Sequence, residues 1–208
     1  MSTSTLISGF ENPVLDSLNN FRKLADVIAR PGSVAELPQL IGPQGMYKTS
    51  FSFLLTLLDT KSSLYLSEEY RIDSVTKNVA FHCNCSCDVS ADKADFALMN
   101  GANPIDFNQF NAGSARDPHQ STSLIIEIDK IASTKEESLE TKLVLSGPGI
   151  QTEHAVSLKG LHSSFVDYLT HRTHAFPTGL DMFLMTEDKV MAIPRTTHVK
   201  IAEAETCM

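Results

Sequence analysis

Residues 176–197 constrain the fold most, because they read as a turn and two strands that must pair with each other. The segment begins with the turn sequence FPTG, in which proline presets φ and glycine permits positive φ values. Apolar runs then cover residues 180–185, apart from Asp181, and residues 190–193, with four polar residues between them. The pattern predicts a β-hairpin that ends at Pro194.

The register of this hairpin decides the surroundings of one charged pair. A symmetric turn places Met185 opposite Val190. The same register places Asp181 opposite Pro194, with Arg195 diagonally beside it. A regular ladder would point the two charged side chains to opposite faces, whereas a bulge at the proline would bring them together as a bidentate ion pair. Either the pair closes the end of the hairpin, or Arg195 is free to bind an anion beside the polar residues Thr196, Thr197 and His198.

Length and composition limit the classes of protein to which this chain can belong. With 208 residues and 42% hydrophobic content, the chain can bury one sizeable core. We therefore predict a single domain over residues 1–208, with a flexible tail at 200–208. The formal net charge is -8, from 17 Lys and Arg against 25 Asp and Glu. This acidic excess argues against nucleic-acid binding, and any bound anion would need a local positive patch.

The sequence also argues against a membrane protein. No apolar run approaches the length of about 20 residues that crosses a bilayer. The initial MSTS lacks the charged and apolar regions of a signal peptide. We therefore expect a cytoplasmic protein that makes no contact with a membrane.

Three of the four cysteines lie close together, as Cys83, Cys85 and Cys87, and the fourth is Cys207. This spacing is not a disulfide framework, and in a reducing compartment thiols are expected. Residues 79–83 read as a strand, and if the strand continues, the three sulfurs share one face about 7 Å apart. Zinc sites need cysteines whose sulfurs converge at a turn. An incidental row of thiols is therefore favoured over a metal or redox site, which stays the alternative.

Helical segments alternate with the strands. Residues 13–30 carry apolar side chains every three or four positions, after Asn12 as a capping residue and before a Pro-Gly stop. Arg30, at the end of this helix, either complements the helix dipole or holds an anion. A second helix from about residue 49 has almost no polar face, so it is predicted to be central.

Further strands are predicted at residues 123–128 and 140–145, most simply as a second antiparallel hairpin. The glycine-rich residues 146–150 follow, but they lack a lysine-threonine pair and precede another strand, so they are predicted to form a turn and not a phosphate-binding loop. No lysine has a setting that suits a Schiff base with pyridoxal phosphate. The elements together predict a mixed α/β domain without a cofactor.

Several ordered motifs resemble one known family. They include FPxGxD at residues 176–181, IPRTT at 193–197 and RPG at 30–32. These motifs resemble the PhnH family, the H subunit of the carbon-phosphorus lyase system of bacterial phosphonate catabolism. The chain departs from the family pattern at His119, where an acidic residue is typical, and in the segment that contains the three cysteines.

The resemblance implies both a fold and a role. It implies a mixed-sheet, three-layer α/β/α domain similar to the large domain of pyridoxal-phosphate-dependent transferases, without the cofactor. It also implies a non-catalytic or accessory subunit of the carbon-phosphorus lyase core complex, present as a homodimer beside the G, I and J subunits. The alternative is a subunit or small enzyme of the same pathway that binds a phosphonate or phosphoribosyl anion. In that case Arg30 and Arg195 would be the anchors, with Asp181 and His198 nearby.

Overall fold

The computed structural model describes residues 6–37, 40–87, 89–132 and 139–202. Four α-helices occur in this part of the chain: α1 (Pro13–Ala29), α2 (Lys48–Leu57), α3 (Asp73–Cys83) and α4 (Ser163–Thr170). The same residues form ten strands: β1 (Val34–Glu36), β2 (Leu64–Leu66), β3 (Phe96–Asn100), β4 (Ser123–Glu127), β5 (Lys130–Ala132), β6 (Thr141–Ser146), β7 (His154–Lys159), β8 (Asp181–Met185), β9 (Lys189–Ile193) and β10 (His198–Ile201).

The strands form two sheets. The larger has the order β1-β9-β8-β4-β3-β2, with β2, β3, β4 and β8 parallel and with β9 antiparallel to both of its neighbours. The smaller has the order β10-β6-β7-β5 and is antiparallel throughout. A mixed α/β architecture with a mixed sheet is therefore confirmed.

The layers differ from the α/β/α order that the resemblance implies. One face of the mixed sheet packs against α1, α2 and α3 in a single apolar cluster. The opposite face packs against α4 and against the inner side of the antiparallel sheet. A second sheet therefore occupies much of the layer where only helices were expected. In β6, the central strand of this sheet that pairs with both β7 and β10, Leu143 and Leu145 are buried and the residues between and beside them are more exposed, as expected for a sheet with one face on a core.

The predicted hairpin at the end of the chain is confirmed, including its register. Strands β8 and β9 pair antiparallel, with Met185 opposite Val190. Strand β10 continues through Ile201 and pairs with β6, so residues 200 and 201 of the predicted tail belong to a strand. The rest of the tail, residues 203–208, lies outside the described residues and includes Cys207.

Two other strand predictions are wrong. Residues 79–83 belong to helix α3, in which Val75, Val79 and Cys83 recur every four positions and are buried in the cluster with α2. The second predicted hairpin does not form either. Strand β4 lies between β3 and β8 in the mixed sheet, and β6 pairs with β7 and β10. The reason is that β4 buries side chains on both faces, which suits a central parallel strand.

The helix predicted at residues 13–30 is confirmed as α1, which begins after Asn12 and ends at Ala29. The Asn12 side chain accepts a hydrogen bond from the backbone N–H of Leu15 at 3.1 Å, as an N-cap should. Within the described residues, none of the helices is sufficiently long and apolar to span a bilayer.

Candidate functional site

The charged pair at the end of the β8–β9 hairpin is formed, which is one of the two arrangements that the sequence left open. The backbone N–H of Arg195 donates to Asp181 Oδ1 at 2.8 Å. Its Nε lies 3.2 Å from both carboxylate oxygens, and its Nη2 lies 2.5 Å from Oδ2. The ion pair is well shielded, because the two side chains are only 14% and 17% exposed.

Arg195 also ties the hairpin to the loop that precedes β4. Its Nη1 donates to the carbonyl oxygen of Pro118 at 2.6 Å, and its Nη2 donates to Ser121 Oγ at 2.5 Å. All three nitrogen atoms of the guanidinium therefore have partners within the protein. This arrangement supports the interpretation that the pair closes the hairpin, and it leaves Arg195 little capacity for a ligand.

A second arginine, which sequence reasoning missed, lies beside this pair. Arg172 follows α4 and donates from Nη2 to the carbonyl oxygen of Pro194 at 3.1 Å. Its Nε and Nη1 are buried and have no hydrogen-bond partner among the described residues. Burial lowers the pKa of Arg172, since the charged form loses solvation. Two buried donors on a cation normally have an acceptor, so this side chain is the most direct indication of an anion site.

The groups around Arg172 are aromatic and polar. Its guanidinium carbon lies 5.8 Å from the ring centroid of Tyr168. The Tyr168 hydroxyl accepts from the backbone N–H of Leu180 at 3.3 Å and lies 3.4 Å from His174 Nδ1. Burial lowers the pKa of His174, which favours the neutral imidazole. We call Arg172, Asp181, Arg195 and Ser121 the hairpin-end cluster.

The remaining residues of the predicted anion site are placed differently. Thr197 is close to the cluster, because its backbone N–H donates to the same Pro194 carbonyl oxygen that Arg172 contacts, at 3.0 Å. Its Oγ1 is buried and lacks a partner among the described residues. His198 is exposed at the start of β10, where it pairs with Ser146. Thr196, which directly precedes Thr197, is half-buried. Arg30 is exposed at the end of α1 and forms an ion pair with Asp26.

An open cavity of about 250 Å³ lies beside the hairpin-end cluster, lined by Pro118, His119, Phe176, Pro177 and Arg195. His119, at one of the positions where the chain departs from the motif pattern, contributes an imidazole to this lining and adds no carboxylate. A side chain without negative charge at this position favours an anion.

A separate buried carboxylate lies at the carboxyl end of β4. Glu127 is 4% exposed, and its oxygens accept from the hydroxyl of Tyr70 at 2.7 Å and from the backbone N–H of Tyr47 at 2.8 Å. Tyr47 directly precedes α2, so the carboxylate satisfies an amide at the start of that helix. Burial raises the pKa of Glu127, against the opposing effect of neighbouring hydroxyls and of the Tyr47 amide. In the sequence, this site could have been recognised from Glu127, an acidic residue that follows a run of apolar strand residues.

The three clustered cysteines do not form the parallel row that was predicted. Cys83 ends α3 and is buried, whereas Cys85 and Cys87 follow the helix and are partly exposed. The sulfur atoms of Cys85 and Cys87 lie 3.5 Å apart, far closer than in the predicted strand. Across the described ranges, no group of three or more His, Cys, Asp or Glu side chains is arranged to hold a metal ion.

Comparison with known proteins agrees with the motif resemblance. The family model described as bacterial phosphonate metabolism protein (PhnH) matches residues 8–200. The chain is 31% identical over 200 residues to the alpha-D-ribose 1-methylphosphonate 5-triphosphate synthase subunit PhnH of Rhizobium meliloti (strain 1021), covering 95% of this chain and 97% of the relative. It is 24% identical over 190 residues to the putative C-P lyase subunit protein HtxG of Stutzerimonas stutzeri, covering 88% of this chain and 86% of the relative. The chain therefore belongs to the PhnH family of bacterial phosphonate metabolism proteins.

Proposed function

We propose that this protein is an accessory, non-catalytic subunit of the carbon-phosphorus lyase system in phosphonate catabolism. Two relatives that cover most of the chain are themselves named as subunits. The charged groups at the hairpin end are largely engaged with each other, which is typical of a structural tie. The observation that carries the proposal is an exposed apolar stripe on α1.

The stripe consists of four large apolar side chains in the first half of α1: Val14, Leu15, Leu18 and Phe21. Their exposed fractions range from 77% at Val14 to 42% at Leu18. Spacings of three and four residues place them on one side of the helix. The face of α1 that packs on the sheet carries Asn20, Leu24 and Val27 instead. An apolar helix face that is turned away from its own core is suited to a contact with another protein chain.

Replacing Phe21 with glutamate is expected to reduce co-purification with the G, I and J subunits at least tenfold, which corresponds to about 1.4 kcal/mol. A carboxylate buried in an apolar interface costs more than this. The replacement should leave the far-ultraviolet circular dichroism unchanged, because Phe21 is 53% exposed in the monomer.

Ile201→Glu is the matched control, since Ile201 is similarly exposed but lies on β10. It should co-purify as the wild-type chain does. Full association of the Phe21→Glu variant would reject α1 as the contact surface. If the wild-type chain itself failed to associate, the accessory function would be rejected.

The family resemblance supports further parts of the proposal. The chain would act as a single domain in the cytoplasm and as a homodimer within the larger complex. Its mixed sheet, with helices α1 to α3 on one face, would correspond to the large domain of pyridoxal-phosphate-dependent transferases that has lost the cofactor. Size-exclusion chromatography with light scattering tests the dimer directly.

A second candidate function is recognition of a phosphonate or phosphoribosyl anion. The sequence offers Arg30 and Arg195 as anchors, with Asp181, Thr196, Thr197 and His198 nearby. The observation that favours anion binding is the pair of buried donors on Arg172 that have no partner within the described part of the chain. The Thr197 hydroxyl likewise has no partner there, and both residues contact the Pro194 carbonyl oxygen. Guanidinium and hydroxyl donors together match the oxygens of a phosphonate.

Calorimetric titration with methylphosphonate and with ribose 5-phosphate separates the two candidate functions. An anion site predicts saturable heat in the wild-type chain and at least a tenfold weaker affinity in Arg172→Met. Arg30→Ala tests the other proposed anchor. If the hairpin-end cluster is the site, this variant should bind the anions as the wild-type chain does, because Arg30 is paired with Asp26. An absence of heat in the wild-type chain would reject the anion site and leave the accessory function.

A further inference from the structure

Cys85 and Cys87 form a close pair of reactive side chains outside the hairpin-end cluster, with their sulfur atoms in contact. We propose that these two residues form a reversible dithiol–disulfide site that reacts with hydrogen peroxide. The proposal depends on neither of the two candidate functions. It concerns a chemical modification of the chain itself.

The sulfur atoms of Cys85 and Cys87 are placed close to the geometry of a disulfide. The two sulfur atoms are 3.5 Å apart, so a shift of about 1.5 Å closes them to the length of about 2.05 Å found in a disulfide. Ser86, between them, forms a bridge with Ser63: its N–H donates to the Ser62 carbonyl oxygen at 3.2 Å, and its own carbonyl oxygen accepts from the N–H of Leu64 at 2.8 Å. This bridge holds the backbone extended at the edge of the mixed sheet. The two cysteine side chains therefore project from the same side of the segment.

Cys85 is the more reactive of the two thiols. Hydrogen bonding with the thiols of Cys83 and Cys87 lowers the pKa of Cys85, which favours its thiolate form. Hydrogen bonding to Cys85, together with burial, raises the pKa of Cys87 and keeps it protonated. One sulfur is then the nucleophile and the other the resolving thiol. Both are partly exposed, so a small oxidant can reach them.

Cys83 is less suited than Cys87 to be the resolving partner. It is the last residue of α3 and is 5% exposed, whereas Cys87 is partly exposed. Its side chain is part of the apolar cluster that contains Val79 and Phe51. The Cys83 thiol also hydrogen-bonds to Cys85, but a bond between them would close over Asn84, whose left-handed conformation, with φ of 51°, would be disturbed. The pair Cys85 and Cys87 is instead joined by the extended residue Ser86.

The reaction balances as follows. The Cys85 thiolate attacks one oxygen of hydrogen peroxide, the O–O bond breaks, and the product is a sulfenic acid with loss of hydroxide. The Cys87 sulfur then attacks the Cys85 sulfur, forms the S–S bond and displaces the second hydroxide. The thiol proton of Cys87 and one proton from the medium convert the two hydroxides to water. Two thiols are oxidised by two electrons in all, and the peroxide is reduced to two waters.

The bond formed in this way should be easily reduced. Residues two apart in an extended segment have Cα atoms about 6.6 Å apart. This separation lies near the upper end of the range of about 4.4–6.8 Å that disulfides accept. Strained, exposed disulfides have more oxidising potentials than structural ones. The site is therefore suited to repeated oxidation and reduction, and not to permanent stabilisation of the fold.

Mass spectrometry of the intact chain tests the proposal in a Cys207→Ser background, which leaves three thiols. Brief treatment with hydrogen peroxide, followed by alkylation, should leave one alkylated cysteine in place of three, with a loss of about 2 Da that dithiothreitol restores. Adding Cys83→Ser or Cys83→Ala should preserve the loss of mass. Adding Cys87→Ser should abolish it and allow a gain of about 16 Da at Cys85.

Three results would overturn the assignment. A disulfide that persists in the Cys87→Ser variant would show that Cys83 is the partner. Three alkylated thiols after peroxide treatment of the background chain would show that the pair does not react. A disulfide seen only between two chains would show that the short contact is not used. Because Cys87 is partly exposed, its replacement should not prevent folding. The Cys87→Ser variant therefore shows whether Cys87 is the partner of Cys85 even if the Cys83 variants are unstable.

Discussion

Replacing Arg195 with alanine is expected to lower the free energy of unfolding by about 3 kcal/mol, since removing one partner of a shielded ion pair leaves the other charge uncompensated. Asp181 would keep only the backbone N–H of residue 195 from the contacts that it has now. The Pro118 carbonyl oxygen and the Ser121 hydroxyl would lose their donor as well. For a chain of this size, the melting temperature should fall by about 6–12 °C.

Urea denaturation monitored by circular dichroism measures this change. The control is Arg116→Ala, since Arg116 is 93% exposed and lies 3.9 Å from Asp117. Exposed pairs of this kind contribute about 0–1 kcal/mol, so the control should unfold almost as the wild-type chain does. A loss below about 1 kcal/mol in Arg195→Ala would show that the hairpin end is held by its backbone alone.

Replacing Glu127 with alanine is expected to cost about 3 kcal/mol, from the cavity and from two buried donors that lose their acceptor. Those donors are the hydroxyl of Tyr70 and the backbone N–H of Tyr47. Glu127→Gln keeps the shape and an acceptor oxygen, so it should cost far less. If the alanine and glutamine variants unfold at the same urea concentration, the polar contacts of Glu127 contribute nothing beyond its volume.

Glu127→Gln also tests how the contribution of Glu127 to the free energy of unfolding depends on pH. Because the pKa of Glu127 is raised in the folded chain, its favourable contribution is fully present below the ordinary glutamate value of about 4.3 and is lost as the pH rises through the folded pKa. Glutamine does not titrate. The stability of Glu127→Gln relative to the wild-type chain should therefore increase from about pH 4 upwards and then become constant. A relative stability that falls as the pH rises would contradict the assigned direction.

The hairpin of β8 and β9 could be predicted in full because its information is local. The turn residues, the two apolar runs and the proline define both the strands and their register. That register in turn placed Asp181 beside Arg195 before any tertiary contact was known. Helix α1 was predicted for the same reason, since its cap, its period and its stop signal lie within one short segment.

Predictions were wrong for segments whose secondary structure or strand pairing depends on residues far away in the chain. Residues 79–83 have the composition of a strand, but the buried positions Val75 and Val79 against α2 stabilise a helix. Strand β4 pairs with β3 and β8, although β6 is nearer to it along the chain than either of them. The thiol geometry was wrong because it was built on the mistaken strand.

The sequence alone determined the family, the mixed α/β class and the final hairpin, because these depend on motifs and patterns within short segments of the chain, whereas it left open whether Asp181 and Arg195 pair. Only the tertiary structure revealed the buried donors of Arg172, the environment of Glu127 and the contact between Cys85 and Cys87. Whether a polar side chain is satisfied, shifted in pKa or able to react depends on what the fold brings to it from elsewhere. The distances between such residues in the folded chain cannot be read from their spacing in the sequence.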